Sequence, residues 1–252
     1  MRLPVSGLDL WVHPPTGAED LLLAEAGVCD TRLALAVVQR LARSRDGQTV
    51  DWANLCVSDL DALLLQLRQE LFGDWVRSDL GCPGCSQRFD LSFRLSDYLQ
   101  RHVPRRARGV EPAADGWFRL KNSPVSFRLP TGADQLALTG DVDPEQLLVR
   151  RCIRPDPLTS RWRRRVEQAM GALAPSLSQD LAGQCPACGL VVLVFFDAQQ
   201  FTLRELCDQA RGVYEEIHLL AGYYHWSEAE ILALPRVRRR HYAEFIRQAV
   251  RS

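Results

Sequence analysis

Two cysteine pairs carry the plainest chemistry in this chain. The stretch "CPGCSQRFDLSF" begins at Cys82, and "CPACGLVVLVFF" begins at Cys185. In each, two thiols three positions apart flank a proline and a small residue. Such a turn aims both sulfurs at one centre and supplies half of a tetrahedral site. A closed structural zinc site takes four ligands, so the simplest reason to write the half-site twice is that Cys82 and Cys85 meet Cys185 and Cys188 around one zinc ion. The two hairpins would then form a split zinc ribbon, with about a hundred residues between halves that an ordinary ribbon separates by roughly 15–20. Two thiol pairs inherited from a metal-binding ancestor, or a redox motif, are the other readings. Thioredoxin-like chemistry is disfavoured because neither knuckle opens a helix. Four thiolates leave no position for an activated water, so the expected role of the zinc is structural. Cys29, Cys56, Cys152 and Cys207 lie singly in apolar patterns and read as small buried residues.

No other constellation points to catalysis. The five histidines are scattered, and there is no serine elbow, HExxH or glycine-rich phosphate loop, so a non-enzymatic protein is expected. Apolar residues make up 46% of the 252 and charged residues 25%, with a formal net charge of zero. That balance argues against a general nucleic-acid coat or a membrane-surface protein. The positive charge is nearly all arginine, gathered in "RHVPRRAR" (101–108), "RWRRR" (161–165) and "RVRRR" (236–240). Arginine forks suit carboxylate-rich partners as well as phosphate. The longest apolar run, "LVVLVFF" (190–196), is far short of the roughly 20 residues of a membrane span. The opening "MRLPVSGLDLWVHPP" has prolines where a signal peptide would be apolar. A reducing cytoplasm is therefore expected, in which cysteines are thiols or metal ligands.

The elements that must position the knuckles are also written twice. "PPTGAEDLLL" (14–23) returns as "LPTGADQLAL" (129–138), in the same order relative to the knuckles. Each copy opens with a hairpin pattern, residues 1–13 about Ser6-Gly7 and residues 117–129 about Asn122-Ser123. Thr16 with Glu19, and Thr131 with Asp134, have capping-box spacing; the lone glycine of "PTGA" reads as a turn rather than a phosphate cradle. Helices follow at 30–42 and 143–153, the second with Asp143 as cap and Pro144 in its first turn. Apolar stripes then mark Leu60, Leu63, Leu64, Leu67 and Leu71 in one copy and Trp162, Val166, Ala169, Met170 and Leu173 in the other. Each copy closes with strand, knuckle and strand. "FDLSFRL" (89–95) alternates, whereas "LVVLVFF" is apolar on both faces and is expected to be sandwiched. The expected architecture is α+β and internally duplicated: a first repeat at 1–100, a mobile linker at 101–116, a second repeat at 117–200 and a helical region at 201–252.

In that last region a capping box at Thr202 and Glu205 and a stripe of Leu203, Leu206, Ala210, Val213, Ile217 and Leu220 predict one helix ending at Gly222. Ser227 with Glu230 starts a short helix that Pro235 ends, and "RVRRRHYAEFIRQAV" makes the last. Arginines at a helix N-terminus are electrostatically unfavourable, which calls for an anionic partner. The stretch "LRELCDQARGVYEEIHLLAGYYHWSEAEILALPRVRRRHYAEFI" (203–246) resembles the T4-type baseplate hub and baseplate-assembly family of contractile phage tails and phage-tail-like injection systems, most specifically in "YHWSEAEILALPRVRRRHY". The "PTGA" elements and the "FGDWVRSDLGCPGC" and "QCPACG" knuckles suit its cysteine-bearing members. The resemblance implies a protein that binds other baseplate or hub proteins during assembly in the cytoplasm, without catalysis, and that joins a phage-tail-like particle. A tail-assembly chaperone that leaves before completion is the close alternative. A zinc-ribbon and helix-turn-helix nucleic-acid binder is the alternative from another class, disfavoured by the neutral charge. Tyr223, Tyr224, Trp226, Leu232, Arg238, Arg239 and Arg240 form the expected partner-binding surface.

Overall fold

The computed structural model describes residues 1–155 and 159–251. The first repeat runs β1 (Leu10–Val12), α1 (Gly17–Ala24), α2 (Thr31–Leu41), β2 (Ala42–Ser44), α3 (Val57–Phe72), β3 (Trp75–Gly81), β4 (Arg88–Arg94) and α4 (Leu95–Arg101). Strands β5 (Val110–Pro112) and β6 (Trp117–Leu120) follow. The second repeat runs β7 (Ser126–Arg128), α5 (Gly132–Leu138), α6 (Pro144–Cys152), β8 (Ile153–Arg154), α7 (Ser160–Leu173), β9 (Gln179–Gln184), β10 (Val191–Phe196) and α8 (Ala198–Ala210). The order strand, helix, helix, strand, helix, strand, strand, helix is the same in both, and α9 (Val213–Tyr224), α10 (Glu228–Leu232) and α11 (Arg236–Arg251) complete the chain. Every strand pairing is antiparallel: β1 with β2, β3 with β4, β9 with β10, and β5-β6-β7-β8 in one sheet. The fold is mixed helix and strand, as an α+β reading requires. No helix among the described residues is long and apolar enough to cross a membrane.

Compactness does not follow the order of the repeats. One unit comprises Met1–Asp9 and Thr49–Ala198; the other comprises residues 10–48 together with the chain from Gln199 on. The first contains the second repeat's core of Leu120, Val125, Phe127, Cys152, Ile153, Val166 and Ala169, with Trp162, Met170 and Leu173 packed on it. It also buries Leu60, Leu63, Leu64 and Leu67 of α3. The second centres on Leu220, Ile231 and Ile246.

Within each unit a "PTGA" turn makes the same clamp. Thr16 and Thr131 cap their helices with reciprocal boxes, the threonine bonding the third amide while Glu19 or Asp134 reaches back to the threonine amide. The residues on either side then bridge to the start of another helix. In the first unit, Val57 N donates to Pro130 O (2.9 Å) and Gly132 N to Leu55 O (3.1 Å). In the second, Arg236 N donates to Pro15 O (3.1 Å) and Gly17 N to Leu234 O (3.3 Å). The motif is a structural turn whose flanking amides and carbonyls are used up in antiparallel bridges at Cys56–Thr131 and Thr16–Pro235.

A fully buried carboxylate stands behind each clamp. Asp134 accepts from Arg128 Nη1 (2.6 Å), Arg128 Nη2 (2.8 Å) and Arg151 Nε (2.6 Å). Asp20 accepts from Arg236 Nε at 2.8 Å and from Arg239, while Arg239 Nε reaches Glu216 at 2.6 Å. The anionic partner demanded by the arginines at the start of α11 is therefore internal, supplied by α1 and α9.

Three expectations are corrected. The helix predicted from Thr202 to Gly222 is two helices. Ser178 Oγ caps the first at Ala198 N (3.0 Å), so Thr202 lies inside it. The chain breaks at Gly212, and α9 passes through Gly222 to end at Tyr224, where His225 takes a left-handed φ of 57°. The segment 101–116 is not a free linker, because Val110–Pro112 add a strand to the second repeat's sheet and Arg105 N donates to Ala172 O at 2.6 Å. Finally, "LVVLVFF" is not sandwiched: Phe196 is buried, but Val191, Leu193 and Phe195 on the opposite face are exposed.

Two measurements test the clamps. A Cβ on Gly17 would lie 2.7 Å from Leu232 Cα and 2.8 Å from Arg239 Nη1, so Gly17→Ala must displace backbone. It is expected to destabilise by about 1–3 kcal/mol in denaturant titrations. Gly171→Ala, where a Cβ meets nothing, should stabilise α7 by about 0.5–1 kcal/mol. Burial pushes the Asp134 carboxyl up, but Arg128, Arg151 and the Thr131 amide outweigh it and hold it well below the usual carboxylate range. The resulting stabilisation is complete above the unfolded value near pH 4 and drains away as pH falls from there towards the folded value. Asp134→Asn is expected to flatten that acid limb and to cost about 3 kcal/mol at pH 7.

Candidate metal centre

The two knuckles are built alike, hydrogen bond for hydrogen bond. In the ribbon of β3 and β4, Cys82 N donates to Gln87 O and Ser86 N to Cys82 O, both at 2.9 Å. In the ribbon of β9 and β10, Cys185 N donates to Leu190 O and Gly189 N to Cys185 O, again both at 2.9 Å. The residue after the second cysteine must turn left-handed to close the loop: Ser86 has φ 61° and Gly189 φ 76°. Glycine takes that conformation freely, whereas serine carries a small strain.

Both ribbons lie in the same compact unit, and they interlock. Phe89 packs against Gly183, where an added Cβ would come within 3.1 Å of its ring. Leu190 reaches over Gly84, where an added Cβ would come within 3.0 Å of its Cδ2 and 3.7–3.8 Å of the Cys82 and Cys188 sulfurs. This packing brings Cys82 Sγ to 3.5 Å from Cys188 Sγ and Cys85 Sγ to 3.7 Å from Cys185 Sγ. All four sulfurs lie within 4.8 Å of one another. A tetrahedron with metal–sulfur bonds of about 2.3 Å places its sulfurs about 3.8 Å apart, so the four cysteines lie close enough to hold a metal ion. Cys82 and Cys185 are buried beside Phe89, with Leu80 and Val192 covering them, while Cys188 is exposed at the rim.

The electrostatics of the thiols fit a cation. Burial pushes the Cys82 thiol up, but the amides of Cys85 and Gly84 and the neighbouring cysteines outweigh it and bring it down to about 7. At Cys85 the Gln87 amide pulls the other way, yet burial and the three neighbouring sulfurs push the thiol up to about 12. At Cys188 the Leu190 amide is likewise overcome, chiefly by Cys82, and the net shift is upward. Thiolates this close repel one another. A bound cation removes that repulsion, and an all-sulfur donor set favours a thiophilic metal in a closed, four-coordinate structural site.

The expected partner surface does not hold together as a surface. Arg239 is 1% exposed and committed to Asp20 and Glu216. Arg240 is bound to Gln209 and lies 3.5 Å from Glu216. Tyr224 and Trp226 stack at 4.9 Å and pack with Tyr242 on the Leu220, Ile231 and Ile246 core, so they seal a helix junction. Leu232 is half-buried against the Gly17 position. Of the seven, only Tyr223 and Arg238 are exposed.

One pairing escaped the sequence. Cys29 Sγ and Cys207 Sγ lie 3.8 Å apart in the second unit, 178 residues apart in the chain, with no motif to announce them. Burial, then the nearness of Cys29, pushes the Cys207 thiol up to about 12. Of the four single cysteines expected to be buried, Cys152 is, whereas Cys29, Cys56 and Cys207 are only partly so. His102 is structural: its Nδ1 donates to Tyr98 O at 2.7 Å, leaving Nε2 to accept from Gln179 at 2.9 Å. Comparison with protein-family models, with curated proteins and with solved structures found no match.

Protein purified under reducing, chelator-free conditions is expected to carry one thiophilic metal ion per chain by elemental analysis. Cys82→Ser and Cys185→Ser should each lose it, whereas Cys29→Ser and Cys207→Ser should retain it. A metal content unchanged by the first pair would remove the assignment.

Proposed function

We propose that this chain is a non-enzymatic structural or assembly component of the baseplate of a contractile phage tail or phage-tail-like injection system. It acts by binding other baseplate proteins, and a zinc ion on Cys82, Cys85, Cys185 and Cys188 holds its two repeats in register. The observation that carries the reading is the fold of its most family-like stretch. Within "YHWSEAEILALPRVRRRHY", Tyr224, Trp226 and Tyr242 seal the helix junction, and Ser227 and Glu230 form a capping box. Pro235, Arg236 and Arg239 clamp the first "PTGA" turn and its buried Asp20. The resemblance thus falls on residues with structural work, which is what a scaffold family has in common. Zinc is favoured over other thiophilic ions because four sulfurs in a tetrahedral, closed array with no redox requirement are its usual structural environment.

The nucleic-acid reading loses its main support, since two of the arginines heading α11 turn inward to carboxylates. In the preceding cluster Arg163 is paired with Glu145 and Glu167, and Arg165 lies over Trp162. Assembly takes place in the cytoplasm, where reduced thiols are available to the metal.

Quantitative mass spectrometry of purified contractile particles, and of baseplate intermediates accumulated without sheath, tests the proposal. A structural part is expected at fixed stoichiometry in both. Presence in intermediates alone makes the chain a chaperone, and absence from both overturns the reading.

A further inference from the structure

The duplication supplies an internal control for the ribbon surfaces. Counting from the knuckles, Arg88, Asp90 and Ser92 of β4 correspond to Val191, Leu193 and Phe195 of β10. In the first ribbon the matching positions are polar, and the exposed Trp75 further along that face is covered in part by the Arg94 guanidinium, 5.0 Å from its ring. Arg88 Nε bonds Asp79 across the strands at 2.8 Å, and Arg77 and Asp90 are exposed beside them. The second ribbon has the same backbone and the same outward direction, yet Val191, Leu193 and Phe195 are 59%, 66% and 63% exposed. Their cross-strand neighbours Gln184, Ala182 and Asp180 are exposed as well. Among the described residues no further strand pairs with β9 and β10, and these apolar side chains stay exposed. Large apolar side chains alternating with inward ones across an otherwise polar scaffold mark an interaction site.

We infer that this face pairs with the same face of a second copy of the chain. It is self-complementary about a two-fold axis that runs midway between the two facing ribbons, parallel to their planes, perpendicular to the strands and level with Leu193. Such an axis sets Leu193 on its counterpart, Val191 against Phe195 and Phe195 against Val191, so that small meets large at each end. Ala182 meets its counterpart and allows close approach. Asp180, opposite Phe195, faces Gln184, opposite Val191, so each carboxylate accepts from an amide and never meets its own copy. The three apolar side chains expose on the order of 350 Å² per copy. With the surrounding polar residues, pairing buries roughly 1,000 Å² in all, the lower limit for specific association.

Sedimentation equilibrium of the purified, metal-containing full chain from about 1 to 200 µM reads the proposal without any baseplate protein, so its outcome is independent of the assignment above. The mass is expected to rise from one chain towards two. Leu193→Glu should weaken association at least 30-fold, and Phe195→Ser at least 10-fold, both with metal content and circular dichroism unchanged. Asp90→Asn on the first ribbon should leave association as it is. A wild-type chain that stays monomeric throughout overturns the inference, as does a Leu193→Glu chain that pairs like wild type or a face that binds only a different protein.

Discussion

Four sulfurs within 4.8 Å of one another repel once they ionise, and this constraint governs the first unit. A two-stranded ribbon is at best marginally stable alone. Here two such ribbons, β3-β4 and β9-β10, stand side by side with little apolar filling around the knuckles, chiefly Phe89, Leu80, Val192 and Leu190. A cation bound at the centre would convert that repulsion into bonds. It would also close a loop of about a hundred residues, which by chain entropy alone removes on the order of 4–5 kcal/mol of freedom from the unfolded state. Strand packing by itself brings the sulfurs within reach of one ion.

The clamp at "PTGA" follows the same logic with different chemistry. Each copy of the turn offers one amide and one carbonyl to a helix start, and each has a buried carboxylate behind it that gathers two arginines. The second copy takes its helix start from the first repeat, at Leu55 and Val57; the first copy takes it from the tail, at Leu234 and Arg236. The repeats are therefore interleaved, which is why compact units cut across them. The ion network also resolves an electrostatic conflict. Arginines crowding the positive end of α11 would destabilise it, and Asp20 and Glu216 turn them into cross-links between helices.

Legibility in the sequence tracked the range of the physics involved. Capping boxes at Thr16, Thr131 and Ser227 and the cap at Asp143 were readable because donor and acceptor lie within three residues. The four-cysteine cluster was readable because an incomplete site written twice implies its own completion. Local rules failed elsewhere: Thr202, which has a capping residue's chemistry, sits inside α8, whose first amide at Ala198 donates to Ser178 Oγ twenty residues away. Arg239 looked like a surface charge because the carboxylates that bury it are 219 and 23 residues distant. Cys29 and Cys207 carry no periodicity or spacing at all, so only folding reveals them.

The two ribbons share a knuckle and the order of elements around them, yet their outer faces differ. The knuckle hydrogen bonds, the turn conformations and the strand registers are the same in both ribbons, so backbone geometry cannot explain why their outer faces differ. Arg88, Asp90 and Ser92 satisfy a strand that faces water; Val191, Leu193 and Phe195 at the same positions carry a hydration penalty that folding of this unit does nothing to relieve. That penalty is what the pairing inferred above would relieve. In a protein built from repeats, the positions where the copies agree report on stability, and the positions where they differ at equal geometry report on function.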